Sequence, residues 1–166
     1  VYKRQTLYLP DATALRMGRL GYQNSAQKKL GIHYNNLNGY LEGLQNAVKT
    51  PYEAFSALGL NDDQGKPIQI NDHVLQIENE YYSLVRPKQV PQGGETPSDA
   101  LRNRGVGYVE LRAVDVNPYS PIGIDENTAG FLEVLALYCL LLDSPPLESD
   151  EQDMIERNQT EVVNRG

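Results

Sequence analysis

The sequence predicts an α+β fold, because some of its segments have the helical period of apolar residues and others have the strand period. Apolar residues recur at helical spacing in Tyr34–Lys49 and crowd into Asp125–Leu142. Apolar and polar residues alternate in Val74–Arg86 and in Val106–Val116, which is typical of strands with one apolar face in a core and one polar face. We therefore expect two strands accompanied by several helices.

The predicted elements begin with an extended segment, Tyr2–Leu9. Tyr34–Lys49 follows as an amphipathic helix, and Asn35 or Asn36 could cap its first turn. Pro51–Leu58 is predicted as a short second helix, since proline is tolerated at the first helical position. Two helices are therefore expected before the first strand.

Helices also separate and follow the two predicted strands. A brief helix, Ser98–Arg104, lies between them. Asp125–Leu142 is a strongly apolar helix in which we expect Cys139 to belong to the core. The acidic tail, 147–166, is predicted to contain a final helix over Glu148–Val163. We find no internal repeat in this order of elements.

Composition limits the classes of function. At 166 residues and 18.6 kDa, with 40% hydrophobic residues, the length suits one domain with a real core. A net charge of −7 argues against a nucleic-acid surface, which is normally basic. No apolar run approaches the roughly 20 residues that span a bilayer, and one cysteine fits a reducing compartment. We expect a cytoplasmic protein that binds neither nucleic acid nor membrane.

Carboxylates and an arginine occupy the polar faces of the two predicted strands. Glu110 and Arg112 are two residues apart, so they share a strand face at a separation of about 7 Å. Such a pair could hold a metal ion and a phosphate side by side, as phosphoryl transfer requires. Glu78 and Glu80 offer similar oxygen ligands on the other strand. The alternative is a solvated outer face of ordinary charged residues, which the alternation by itself does not exclude.

Four long blocks of the sequence form a pattern that occurs in one enzyme family. They are YLPDATALRMGRLGY (Tyr8–Tyr22), VLQIENEYYSLVRPK (Val74–Lys88), GETPSDAL (Gly94–Leu101) and YVELRAVDVNPYSPIGID (Tyr108–Asp125). Any one block would carry little weight, but the four in this order and spacing are specific. Over Leu7–Leu142 the chain resembles the gamma-proteobacterial type of glutamate–cysteine ligase, also called γ-glutamylcysteine synthetase.

The resemblance implies both a fold and a reaction. The fold is related to glutamine synthetase, with a curved, mainly antiparallel sheet that forms a saddle-shaped active site and helices packed behind it. The reaction, with ATP and Mg²⁺, is the first step of glutathione biosynthesis. The γ-carboxylate of L-glutamate is phosphorylated, and the amine of L-cysteine then attacks the γ-glutamyl phosphate.

The resemblance also implies roles for five residues, matched position by position. Arg16 corresponds to an arginine associated with recognition of a substrate carboxylate. Tyr22 and Tyr82 correspond to tyrosines that line the cysteine pocket. Glu110 corresponds to a metal-binding glutamate, and Arg112 to an arginine near the transferred phosphate.

Two questions remain: the roles of three further residues, and whether a chain of this length is a whole domain. Glu78, Glu80 and Arg86 lie in a matched block, where either a binding role or a structural role is possible. Family members are several-fold longer, and further metal-binding carboxylates come from an N-terminal region that this sequence lacks. We therefore expect 1–166 to be a single partial domain, an internal or C-terminal-half piece that does not turn over alone. The alternatives are another carboxylate–amine ligase of the superfamily and a non-catalytic binding or scaffold module.

Overall fold

The computed structural model describes residues 8–18, 21, 26–27 and 30–166. The chain divides into two compact units, one of Tyr22–Arg112 and the other of Val1–Gly21 with Ala113–Gly166. Helices and a small antiparallel sheet are both present, so the predicted α+β class is confirmed. Most of the predicted extended segment Tyr2–Leu9 lies outside the described residues.

Helix α1, Leu37–Ala47, supplies the largest part of the core of its unit. Asn36 caps it, because its side-chain oxygen accepts a hydrogen bond from the Gly39 backbone N–H at 2.8 Å. The helix predicted over Tyr34–Lys49 is therefore confirmed. The short helix α2, Glu53–Leu58, follows as predicted. One face of α1 is buried through four side chains: Tyr40, Leu41, Leu44 and Ala47.

The strand predicted over Val74–Arg86 is wrong for most of its length. A 3₁₀ helix, Glu78–Glu80, interrupts the segment. The carboxylate of Glu80 accepts a hydrogen bond from the Gln76 backbone N–H at 2.7 Å, which closes a local turn in place of a sheet ladder. Ile77, expected on the core face, is exposed as a consequence.

The sheet consists of two short antiparallel strands, β1 (Val85–Lys88) and β2 (Tyr108–Leu111). β2 is the centre of the longer strand predicted over Val106–Val116. Helix α3, Pro97–Arg104, lies between them in sequence and matches the predicted helix. A capping box fixes the start of α3: the hydroxyl of Thr96 accepts from the Asp99 N–H, and the Asp99 carboxylate accepts from the Thr96 N–H.

The sheet departs from the expected pattern of burial at Arg86 and Val109. Directly opposed residues project from the same face of an antiparallel pair. On the apolar face, Val109 is 56% exposed, whereas Arg86 on the polar face is only 4% exposed. The interpretation of the polar face as a solvated outer surface is therefore wrong for Arg86. The polar face carries Arg86, Lys88, Tyr108 and Glu110.

The second unit contains helices α4 (Glu126–Leu141) and α5 (Ser149–Arg165), close to the two helices predicted there. Asp125 caps α4 by accepting a hydrogen bond from the Thr128 N–H at 2.8 Å. No residue of α4 is buried, and Cys139 is exposed, so its predicted place in a core is wrong for this chain. The described residues include no helix with the length and apolar content needed to cross a membrane.

Candidate active site

Glu110, Arg112 and Tyr82 form one cluster in the Tyr22–Arg112 unit. The Arg112 guanidinium lies over the Tyr82 ring, 5.3 Å from its centroid. Its Nε is 3.6 Å from Oε1 of Glu110, an ion pair between neighbours on one strand face. The two-residue spacing thus places both charges side by side, as the strand period predicted. The cluster is half-buried, so its charges are less screened than those on an open surface.

Lys88 joins this cluster from the opposite strand. Its Nζ lies 3.4 Å from Oε2 of Glu110. That oxygen is buried and accepts no hydrogen bond from a described residue, so the contact is an ion pair only. Two cations, Lys88 and Arg112, therefore surround one carboxylate. The excess of positive charge suits a phosphate group, although the whole chain has a net charge of −7.

Gln27 holds the segment that carries Tyr82. Its side-chain oxygen accepts a hydrogen bond from the Tyr82 backbone N–H at 2.9 Å. Its side-chain N–H donates to the backbone carbonyl of Glu80, also at 2.9 Å. This pair of bonds replaces the strand ladder that the sequence suggested for the segment. The Tyr82 ring is positioned in this way for its contact with Arg112.

The structure gives Glu78 and Glu80 local contacts with the backbone. The Glu78 carboxylate accepts a hydrogen bond from the Ser98 backbone N–H at 3.0 Å, at the start of α3. Glu80 accepts from the Gln76 N–H, as described above. Neither residue lies on a strand, so the strand position predicted for both is wrong, while their role as ligands stays a prediction. Arg86 lies on β1 and is buried beside α1 and α3.

The remaining two predicted residues lie elsewhere. Arg16 belongs to the second unit and has an exposed side chain. Its backbone N–H donates to Asp115 Oδ1 at 2.7 Å, and that of Leu15 donates to Asp115 Oδ2 at 2.7 Å. One carboxylate therefore fixes the backbone beside Arg16. Tyr22 lies outside the described residues.

Sequence reasoning did not single out Lys88, Gln27 or Asp115. For Lys88 a signal existed, because it lies two residues after Arg86 and so shares its strand face. Gln27 and Asp115 act over 55 and 100 residues of sequence, respectively, and no local pattern marks them.

The described residues contain no group of three or more His, Cys, Asp or Glu that could hold a metal ion. Within the part of the chain that the structure describes, Glu110 alone offers a buried carboxylate oxygen without a hydrogen bond. Mg²⁺ in phosphoryl-transfer sites often takes only one or two protein carboxylates, with phosphate oxygens and water as the other ligands. The site thus fits a single protein ligand of such an ion.

Comparison with protein families gives one match over nearly the whole chain. The family model for glutamate–cysteine ligase matches residues 1–162. The chain belongs to this family. The resemblance seen in the four sequence blocks is therefore confirmed.

Known members of the family are much longer than this chain. The glutamate–cysteine ligase of Erwinia tasmaniensis is 47% identical over 160 residues, which are 96% of this chain and 31% of that protein. The crystal structure of glutamate–cysteine ligase from Francisella tularensis in complex with AMP aligns with a TM-score of 0.86 and 44% identity, over 95% of this chain and 31% of that chain. The chain thus spans about a third of the length of both ligases.

A third similarity concerns the fold alone. A bifunctional glutathione synthetase from Pasteurella multocida aligns with a TM-score of 0.63 at 24% identity. The alignment covers 91% of this chain and 16% of that chain. The arrangement of helices and strands described above therefore also occurs within a larger protein.

Proposed function

We propose that this chain is part of the catalytic domain of an ATP-dependent glutamate–cysteine ligase. The observation that carries the proposal is the cluster of Glu110, Arg112 and Tyr82, three residues to which the family resemblance assigns metal, phosphate and cysteine contacts. Membership of the family and the AMP complex of the Francisella relative support it. The substrates are L-glutamate, L-cysteine and ATP, and the product is a γ-glutamyl amide of cysteine.

The reaction has two steps. An oxygen of the glutamate γ-carboxylate attacks the γ-phosphorus of ATP, and the bond from that phosphorus to the ADP oxygen breaks. The cysteine amine then attacks the carbonyl carbon of γ-glutamyl phosphate, inorganic phosphate leaves, and the amine loses a proton. Negative charge is redistributed on phosphate oxygens in both steps, so a positively charged site stabilises the transition states.

We assign to Arg112 the stabilisation of this negative charge on the phosphate oxygens. The Tyr82 ring and the Glu110 carboxylate hold its guanidinium from two sides, which limits its reorientation during the reaction. A planar guanidinium can donate two parallel hydrogen bonds to a phosphate, and an ammonium group cannot. Tyr82 would at the same time present its ring edge or hydroxyl to the small cysteine substrate.

Glu110 would supply one oxygen ligand to Mg²⁺. The ion would neutralise phosphate charge and orient the transferred group. Other protein ligands would come from the longer enzyme, since the described residues provide no carboxylate cluster. Lys88, which is paired with Glu110 here, would remain close enough to contact a phosphate oxygen.

The other predicted residues complete the proposal. Arg16 would bind a substrate carboxylate, and Tyr22 would line the cysteine pocket with Tyr82. A binding role for Glu78, Glu80 or Arg86 stays a prediction.

We further propose that 1–166 is a single partial domain of a cytoplasmic enzyme. Its antiparallel strands would belong to a glutamine-synthetase-like saddle with helices packed behind it.

Replacement of Arg112 by Lys tests the central assignment. In a full-length ligase that contains this segment, we expect Arg112→Lys to lower kcat about 100-fold or more, because one preorganised donor is lost. ADP release with L-glutamate, L-cysteine and Mg²⁺-ATP measures the effect. Arg102→Lys is the matched control, since Arg102 lies on α3 with an exposed side chain. Near-normal turnover of the Arg112 variant would show that the role assigned to Arg112 is wrong.

Two further measurements separate the alternatives. A panel of amino acid acceptors distinguishes a cysteine ligase from another carboxylate–amine ligase, because only the first gives maximal ADP release with L-cysteine. Calorimetric titration of the full-length protein with ATP, once with and once without Mg²⁺, identifies a scaffold module. Such a module would bind ATP in neither titration. The 166-residue chain itself should show no turnover, since its described residues provide no cluster of metal ligands.

A further inference from the structure

A cavity of about 180 Å³ lies between α1, α3 and β1, within the Tyr22–Arg112 unit. Two cationic side chains, Arg86 and Lys88, line it. Among the described residues that form its wall there is no Asp or Glu. Lys88 is ion-paired with Glu110, so Arg86 is the cation of this cavity that lacks an ion pair with a described carboxylate. The cavity has room for several water molecules or for a small polyatomic anion with water.

Arg86 is a buried cation that forms no ion pair with a described carboxylate. Its side chain is 4% exposed, and no described carboxylate lies within 4.0 Å of it. One terminal nitrogen makes a long contact of 3.5 Å with the backbone carbonyl of Glu78, and Nε donates to no described residue. The Tyr81 ring, with its centroid 5.9 Å away, and the Tyr40 phenol also contact the guanidinium. An isolated buried charge is costly, so this arginine is expected to have an anionic partner.

Two residues with buried hydroxyl groups line the same cavity. Ser98 and Tyr40 are 1% and 2% exposed, and neither hydroxyl donates a hydrogen bond to a described residue. Burial raises the pKa of the Tyr40 phenol above its ordinary value of 10.0, although the nearby Arg86 opposes the effect. The phenol therefore keeps its proton at neutral pH and can donate it to a hydrogen bond.

Arg86, Ser98 and Tyr40 thus bring three donors that no described residue uses to one cavity, and Lys88 lines it while paired with Glu110. Water would satisfy the hydroxyl groups but would leave the guanidinium charge unbalanced. We propose that this cavity is a binding site for a small oxyanion, held by Arg86 Nε and the Ser98 and Tyr40 hydroxyls. The site does not depend on the proposed ligase reaction.

The site is tested by titrating inorganic phosphate into the 166-residue chain at constant ionic strength, followed by NMR chemical shifts. We expect saturable shifts of the amide signals of β1 and the first turn of α3. Tyr40→Phe and Ser98→Ala each remove one donor and should weaken binding about tenfold. Ser98→Ala should not lower the unfolding temperature of the free chain, because it removes a buried hydroxyl that has no partner among the described residues. The unfolding temperature of Tyr40→Phe is measured beside it, because the Tyr40 phenol also contacts Arg86.

Arg86→Gln removes the central donor and one charge and should abolish saturable binding. Arg102→Gln makes the same change of charge on the exposed side of α3 and should leave the affinity unaltered. If Arg86→Gln fails to fold, the two hydroxyl variants still decide the question. The site is refuted if the phosphate shifts are linear and unsaturated, or if Tyr40→Phe and Ser98→Ala bind as tightly as the original chain.

A second titration with acetate identifies the type of oxyanion. Saturable binding of phosphate alone indicates a tetrahedral anion, and tighter binding of acetate indicates a carboxylate. Both outcomes support the site if the hydroxyl variants weaken the binding. Absence of saturable binding for both anions would overturn it.

Discussion

Helices α1 and α4 are both rich in apolar residues, but they differ completely in burial. α1 has 11 residues and buries four of them against its own unit. α4 has 16 residues and buries none; Leu140, for example, is 79% exposed. In α1 the apolar residues follow one face, whereas in α4 they surround the helix axis.

An apolar sequence therefore predicts that a helix forms more reliably than it predicts which residues pack against that helix. An amphipathic helix such as α1 needs one neighbour, and α1 has it in the core formed with Leu75, Tyr81 and Leu101. A helix that is apolar on all sides needs neighbours on all sides. The chain spans about a third of the length of its relatives, and α4 remains exposed in it.

The largest expected effect is a difference in stability between matched substitutions in the two helices. Leu44→Ala in α1 should lower the free energy of unfolding by about 2–5 kcal/mol, because it leaves a cavity in the core. Leu140→Ala in α4 should change it by less than about 0.5 kcal/mol, since the side chain is already in solvent. Urea unfolding of the 166-residue chain measures both. Similar losses for the two variants would show that α4 is packed in solution.

A smaller effect is expected at the start of α1. Asn36→Ala removes the side-chain oxygen that accepts from the Gly39 N–H and should cost about 1 kcal/mol. Asn38→Ala, two residues further along on the exposed side, is the control and should be neutral or slightly stabilising, because alanine favours helix. Urea midpoints of the two variants give the comparison. An equal effect of both substitutions would rule out the cap as the cause.

The sequence predicted best what depends on local interactions. α1, α3 and α4 each begin at a residue whose side chain caps the helix: Asn36, Thr96 and Asp125, respectively. Such residues are recognisable because capping acts within three or four positions of the chain. The strand predicted over Val74–Arg86 failed for a different reason. Its alternation was present, but the turn closed by Glu80 was not visible in it.

The candidate site was predictable in part, for the same reason. The period of two along a strand was sufficient to place Glu110 and Arg112 on one face. Lys88 joins them only through the pairing of β1 with β2, whose register the sequence does not state. Gln27 contacts the Tyr82 segment from 55 residues away, so its role depends on tertiary structure. The buried position of Arg86 likewise depends on how α1 and α3 pack beside β1.

The smallest expected effect is a difference between the caps of α1 and α4 in their response to low pH. The cap of α1 is the neutral amide of Asn36, whereas the cap of α4 is the carboxylate of Asp125. Hydrogen bonds from the Thr128 N–H and hydroxyl, and from the Asn117 amide, lower the pKa of Asp125 below its ordinary value of 3.8. A carboxyl group whose pKa is lowered by folding contributes stability above the unfolded value, and this contribution is lost as pH falls through the folded value.

Acidification below pH 3.8 should therefore weaken the start of α4 and leave the start of α1 unchanged. Amide hydrogen exchange at Thr128 and Gly39, compared at several pH values and corrected for intrinsic rates, reports on the two caps separately. In Asp125→Asn the cap no longer titrates, so the pH dependence at Thr128 should disappear while the N–H still has an acceptor. Equal loss of protection at Thr128 and Gly39 in the original chain would indicate general acid unfolding. Selective loss at Thr128 would instead show that a helix without a packed face depends on its first turn.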